Sequence, residues 1–315
     1  MTQLHEDRQL TAGRPHRRSA DRRVLDRQHS AMRLLVSSAH NSFDPAEDLD
    51  WDAPLEPDKP CMPWHRVSLF GTDLWADLNR QQQVELSKHE MASIMQVGLW
   101  FEIILMQMLL RYSYDLDLRD PHAQYAMTEV GDETRHSIMF ARCASKLGVP
   151  HYGAPRLVHE LGRIYKATAG GPAMFAPVLV AEEVTDRLQR EIMVDEQVQP
   201  LVRGISKIHV VEESRHVRYA REELLRLMPR LSRAALARQR LAVATVSYCI
   251  VDSLIDRRVY EAVGIPADVG RRAALSNPHH RQTRRWMAEK IMPFLQQAGI
   301  VGGPSSRLYR KGFLL

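Results

Sequence analysis

Asp132-Glu133-Thr134-Arg135-His136 returns eighty residues later as Glu212-Glu213-Ser214-Arg215-His216. Each copy reads acid, Glu, hydroxyl residue, Arg, His. Residues three apart lie side by side on a helix. Glu133-x-x-His136 and Glu213-x-x-His216 therefore each offer a carboxylate and an imidazole to one point. A lone Glu-x-x-His is a weak motif that chance supplies in a chain of this size. A repeated five-residue pattern is much harder to obtain by chance.

The repeat extends upstream. Glu102 precedes Glu133 by 31 residues, and Glu182 precedes Glu213 by the same 31. Di-iron carboxylate bundles take one Glu from each of two helices and a Glu-x-x-His pair from each of two others. The equal spacing favours Glu182 over its neighbour Glu183, although either could face inward. Glu102 stands within Leu99-Trp100-Phe101-Glu102-Ile103-Ile104-Leu105-Met106. A helix apolar on every side is buried, and a buried carboxylate is costly unless paired or metal-bound. A salt bridge to a buried Arg is the alternative.

His209 breaks the symmetry. It lies four before Glu213 and seven before His216, on one helical stripe. The matching position in the first half is Glu129. His209 is thus either a seventh ligand or a satisfied core histidine.

The acids preceding the two motif glutamates suggest an outer layer. A metal-bound His usually gives its second ring N–H to a carboxylate. In a pseudo-twofold site Asp132 would serve His216 and Glu212 would serve His136, with Arg135 and Arg215 neutralising both acids. Solvated helix surface is the other reading of the arginines. Substrate space would come from residues about a turn from the metals: Gly98, Leu99, Met106 and Val178. Carboxylate and imidazole donors with open positions suit iron that activates O2. The lack of thiolate motifs disfavours an iron–sulfur cluster, and zinc more often takes a closed four-ligand site.

The 315 residues carry a net charge of +5. Much of the excess lies in Arg8, Arg14, Arg17, Arg18, Arg22, Arg23 and Arg27. Residues 1–35 read as a basic, flexible tail, residues 36–300 as one domain, and residues 301–315 as a C-terminal tail. No nucleic-acid recognition motif accompanies the charge. Cys61, Cys143 and Cys249 are widely spaced and odd in number, which points to free thiols in the cytoplasm. The N-terminus lacks the apolar core of a secretory signal. The apolar run from Leu241 to Ile255 is short for a membrane span and contains Asp252, so no membrane association is expected.

Residues 41–65 form a proline-rich loop that Trp51 and Trp64 could anchor. Helices are expected over 78–112, 120–147, 155–167, 173–197, 201–227 and 232–263, with a last one from Asn277-Pro278 to 297. Asp120-Pro121 is a helix-start pair. No strand is expected. The fold class is all-α, a ferritin-like four-helix bundle core with additional helices.

The paired Glu-x30-Glu-x-x-His plan, with His209 in His-x3-Glu-x2-His and the Asp-Glu-x-x-His form of the first half, resembles the p-aminobenzoate N-oxygenase family of ferritin-like di-iron oxygenases. The resemblance covers roughly residues 70 to 300. It implies Glu102, Glu133, His136, Glu182, His209, Glu213 and His216 as ligands of two iron ions. It also implies O2 as co-substrate, a peroxo-di-iron(III) oxidant and a homodimer. The reaction implied is oxidation of an arylamine to hydroxylamine, nitroso and nitro products, with electrons from a ferredoxin-type donor. Carbon hydroxylation, acyl desaturation and a non-enzymatic iron-binding bundle are the competing expectations.

Overall fold

The computed structural model describes residues 15–315, with side chains from Asp26 onward. Every regular element among the described residues is helical. The opening helix is α1 (Pro15–His40), and a short α2 (Asp73–Ala76) follows the proline-rich loop. Two hairpins make the bundle: α3 (Arg80–Tyr114) with α4 (Pro121–Lys146), and α6 (Pro172–Ile192) with α7 (Pro200–Leu227). Between them α5 (Arg156–Thr168) lies across α3. The chain continues through α8 (Arg233–Ser253), α9 (Ala267–Ser276), α10 (Pro278–Met287), α11 (Ile291–Gln297) and α12 (Ser306–Lys311).

Local chemistry sets the ends of the bundle helices. Asn79 and Gln82 form a reciprocal capping box at the start of α3: the Gln82 amide donates to Asn79 Oδ1 at 2.9 Å, and the Asn79 amide donates to Gln82 Oε1 at 3.1 Å. Pro121, Pro172 and Pro200 each occupy the opening position of a helix, where the missing N–H has no intrahelical partner to lose. α3 is apolar and long enough by composition to cross a membrane. It is instead a central helix of the bundle, burying Met91, Met95, Met108 and Leu109 along with Glu102.

Several expectations need correcting. The helix expected over 232–263 stops at Ser253; Asp256 then caps a separate 3-10 turn, Arg257–Val263, by accepting the Arg258 amide at 2.9 Å. The helix expected to end at 297 is divided into α10 and α11. The expected N-terminal tail is helical from Pro15, and residues 1–14 lie outside the described residues. Ala31 and Leu34 are buried, and Arg27 Nη2 lies 2.8 Å from buried Glu223. Arg27 therefore belongs to a half-buried ion pair, although its neighbours in sequence suggest a solvated basic run. The last residues also dock rather than trail: Tyr309 and Leu314 are buried, and α12 packs on α8.

Candidate metal centre

α3 supplies Glu102, α4 supplies Glu133 and His136, α6 supplies Glu182, and α7 supplies His209, Glu213 and His216. The structure brings all seven into the bundle interior, none more than 5% exposed. His136 Nδ1 lies 3.0 Å from Glu133 Oε2 and 3.3 Å from Glu213 Oε1. His216 Nδ1 lies 2.9 Å from Glu133 Oε1 and 2.9 Å from Glu213 Oε1. Glu133 and Glu213 thus each face both imidazoles and sit in the middle of the group. His209 directs Nε2 to within 3.5 Å of Glu102 Oε1 and 3.8 Å of Glu213 Oε1, while its Nδ1 faces Gln189 Oε1 at 2.7 Å.

Glu182 and Glu183 part company here. Glu183 turns to Arg221, whose Nε donates to it at 2.8 Å. Glu182 gathers with His209 and Glu213, their donor atoms within 4.8 Å of one another. Glu102, His136 and His209 form a second such group.

An outer layer of charge surrounds the histidines. His216 Nε2 lies 3.1 Å from Asp132 Oδ2, and His136 Nε2 lies 2.8 Å from Glu212 Oε2. Each acid therefore reaches the imidazole of the opposite half. Arg135 Nη2 bonds Asp132 and lies 3.8 Å from Glu212. Arg215 Nη2 lies 3.5 Å from Asp132 and 3.8 Å from Glu212. The segment after α1 closes this layer: the Phe43 amide donates to Glu212 at 3.1 Å, Arg215 donates to the Asn41 carbonyl at 3.2 Å, and Arg135 donates to Ser42 at 3.1 Å. This contribution of residues 41–43 carries no motif in the sequence. Farther along the same loop, Trp51 is buried and donates from Nε1 to the Pro45 carbonyl at 2.6 Å.

Glu129 is the other residue that motif spacing leaves out of the ligand set. It is 1% exposed and grouped with Glu133 and His216. It occupies in the first half the position His209 occupies in the second. Its Oε2 has no hydrogen-bond partner, and the same holds for Glu102 Oε2, Glu213 Oε2 and His209 Nε2.

The electrostatics are ones that a bound cation could balance. Burial, reinforced by the neighbouring carboxylates, pushes Glu102, Glu129 and Glu182 well above the usual carboxylate range. Burial acts the same way on Glu133 and Glu213, but the adjacent imidazoles outweigh it and hold both below that range. For His136 and His216 the penalty of burial is overcome by the carboxylates, which raise both well above the ordinary imidazole value. Burial lowers His209 to about 4, so it offers a neutral nitrogen. Buried donors without protein partners, rich in carboxylate and free of thiolate, fit hard or borderline metal cations.

Of the four residues expected to make substrate space, two line cavities. Val178 lines a cavity of about 320 Å³ between α3, α5, α6 and α8. Gly98 lines a void of about 20 Å³ beside Glu102 and His209. Leu99 and Met106 line neither. They sit on the side of α3 toward α4, where Met106 Sδ accepts a hydrogen bond from Thr134. The large cavity opens on the opposite side, past Phe101, Leu105 and Met108. Its remaining walls come from α5 and α8, which the metal motif does not touch.

Comparison with known proteins agrees with this geometry. Residues 24–299 match the family described as P-aminobenzoate N-oxygenase AurF. An uncharacterized protein of Mycobacterium tuberculosis (strain CDC 1551 / Oshkosh) is 27% identical over 269 residues, covering 81% of this chain and 77% of its own length. An uncharacterized protein of Mycobacterium bovis (strain ATCC BAA-935 / AF2122/97) is 26% identical over the same shares.

Proposed function

Because the chain belongs to the p-aminobenzoate N-oxygenase family, we propose that it is a di-iron oxygenase that oxidises an amine nitrogen. The observation that carries this reading is the set of buried, converging donors in the bundle core, several of whose atoms have no hydrogen-bond partner. Glu102, Glu133, His136, Glu182, His209, Glu213 and His216 would hold two irons, and Glu129 is a further donor within reach of the His216 side. The irons would supply the reduction of O2 and the oxidant. In the first step one amine N–H becomes N–OH, and the second oxygen atom leaves as water. Two electrons and two protons from an external donor, such as a ferredoxin, complete the balance.

The remaining steps fall to the chain itself. Asp132 and Glu212 hold His216 and His136 in the orientation that keeps each Nδ1 inward. Arg135 and Arg215 place positive charge beside both acids. The apolar side chains around the centre exclude bulk water from the reacting atoms. A homodimer belongs to this reading as well.

The apolar character of the large cavity favours one second reading, hydroxylation or desaturation at carbon. The separating experiment is to load the protein with Fe(II), admit O2, and supply arylamines and acyl substrates in turn. Nitrogen oxidation of the amine supports the first reading, and turnover of acyl chains alone rejects it.

A further inference from the structure

The 320 Å³ cavity lies within the size range of small-molecule pockets. One end is the Glu182 side chain. Phe101, Ala181 and Glu182 also wall the small void beside Glu102 and His209, so the cavity abuts the candidate metal centre. The other end opens between exposed Leu161 and Ile164 of α5 and exposed Thr245 of α8.

Its walls contain no Lys, Arg or His among the described residues. The polar groups present are largely spoken for. Tyr165 donates its hydroxyl to the Ala173 carbonyl. That carbonyl lies four residues before Pro177, whose ring nitrogen cannot donate to it. Thr168 donates to the Ile164 carbonyl at 2.8 Å. Cys249 stays a neutral thiol, because burial raises its pKa. Glu182 is the one carboxylate in the lining.

A substrate carboxylate in the body of this cavity would meet no Lys, Arg or His side chain to pair with. An unpaired buried carboxylate is strongly disfavoured. We propose that the cavity binds an uncharged arylamine carrying an apolar substituent, with its amine toward Glu182, and that it rejects aminobenzoates. The inference rests on the amine-oxidation reading for the choice of amine, and on the cavity walls for the lack of charge.

The test is calorimetric binding to the Fe(II)-loaded protein without O2, so that nothing turns over. The probes are 4-butylaniline, butylbenzene and 4-aminobenzoate. The two uncharged probes are expected to bind, with 4-aminobenzoate weaker by on the order of a hundredfold. Ala242→Phe, which fills the cavity from α8, should abolish binding of the uncharged probes. Thr245→Arg, at the exposed mouth, should tighten 4-aminobenzoate about tenfold and leave 4-butylaniline unchanged. Equal or tighter binding of 4-aminobenzoate to the unaltered protein would overturn the proposal, as would 4-butylaniline binding that both variants leave unmoved. Admitting O2 afterwards separates the two claims. Cavity binding without nitrogen oxidation defeats the proposed function alone, whereas oxidation of 4-aminobenzoate bound as tightly as 4-butylaniline defeats the cavity assignment alone.

Discussion

His216 Nε2 lies 3.1 Å from Asp132 Oδ2, an acid carried by the opposite half of the repeat. His136 and Glu212 repeat the contact at 2.8 Å. Each half thus orients the imidazole of the other. Asp132→Asn keeps the size of the side chain and removes the charge. Metal affinity is expected to fall about 10- to 100-fold, read as iron retained against a competing chelator. Iron content and activity equal to the parent protein would show that Asp132 does not orient His216.

His209 and Glu129 occupy matching positions four before Glu213 and Glu133. Each reaches a different part of the centre, His209 beside Glu102 and Glu129 beside His216. Replacing His209 by Ala should weaken one of the two iron sites and leave the other. Replacing Glu129 by Gln should affect the other one. Stepwise Fe(II) titration followed by Mössbauer spectroscopy distinguishes the two subsites. A change in the same subsite from both variants would contradict the assignment.

Loading should release protons. In the metal-free protein the folded-state pKa values of Glu102, Glu182, His136 and His216 are raised. A group raised in the folded state binds its proton more tightly there than in the unfolded chain. Its contribution to stability is full below the unfolded pKa, about 4.3 for Glu and 6.5 for His, and is lost as pH rises through the folded value. A metal ion competes for these groups only in their deprotonated forms, so iron affinity should rise with pH. An indicator dye in weakly buffered solution measures the protons released per iron; zero release, or affinity independent of pH from about 5 to 8, runs against the donor set.

Tyr165 secures the carbonyl that Pro177 strands. Tyr165→Phe leaves the Ala173 carbonyl without its donor at the edge of the cavity. The expected loss of stability is about 1–3 kcal/mol, measured by urea unfolding. An unchanged midpoint and slope would mean that the bond contributes nothing net.

The cluster of buried carboxylates and imidazoles was legible in the sequence because metal binding would demand fixed residue types at fixed helical spacings. Glu133-x-x-His136, its repeat, and the equal intervals to Glu102 and Glu182 all follow from that demand. The choice between Glu182 and Glu183 was less legible, since Arg221, which takes Glu183, is 38 residues away. The cavity was not legible. Leu99 and Met106 share the sequence signal of Val178, but their side of α3 is covered by α4. The walls from Leu161 and Val246 depend on how α5 and α8 pack, and no spacing rule reports that. Local breaks were missed for a similar reason: α8 stops at Ser253, and Asp256 starts a separate 3-10 turn through a cap that an otherwise apolar pattern hides. Arg27 shows the same limit at the N-terminus, where the partner that draws it out of the basic run is the buried Glu223.

On the proposed reading, this bundle uses two irons and O2 to oxidise an amine nitrogen. The most direct test of that reading is mass spectrometry of the product after Fe(II)-loaded protein reacts with isotopically heavy O2 and 4-butylaniline in the presence of reductant. The expected product is oxidised at nitrogen, carries the heavy label in its new oxygen, and forms only with iron bound. A protein that holds no iron, or a product labelled only at carbon, would contradict it.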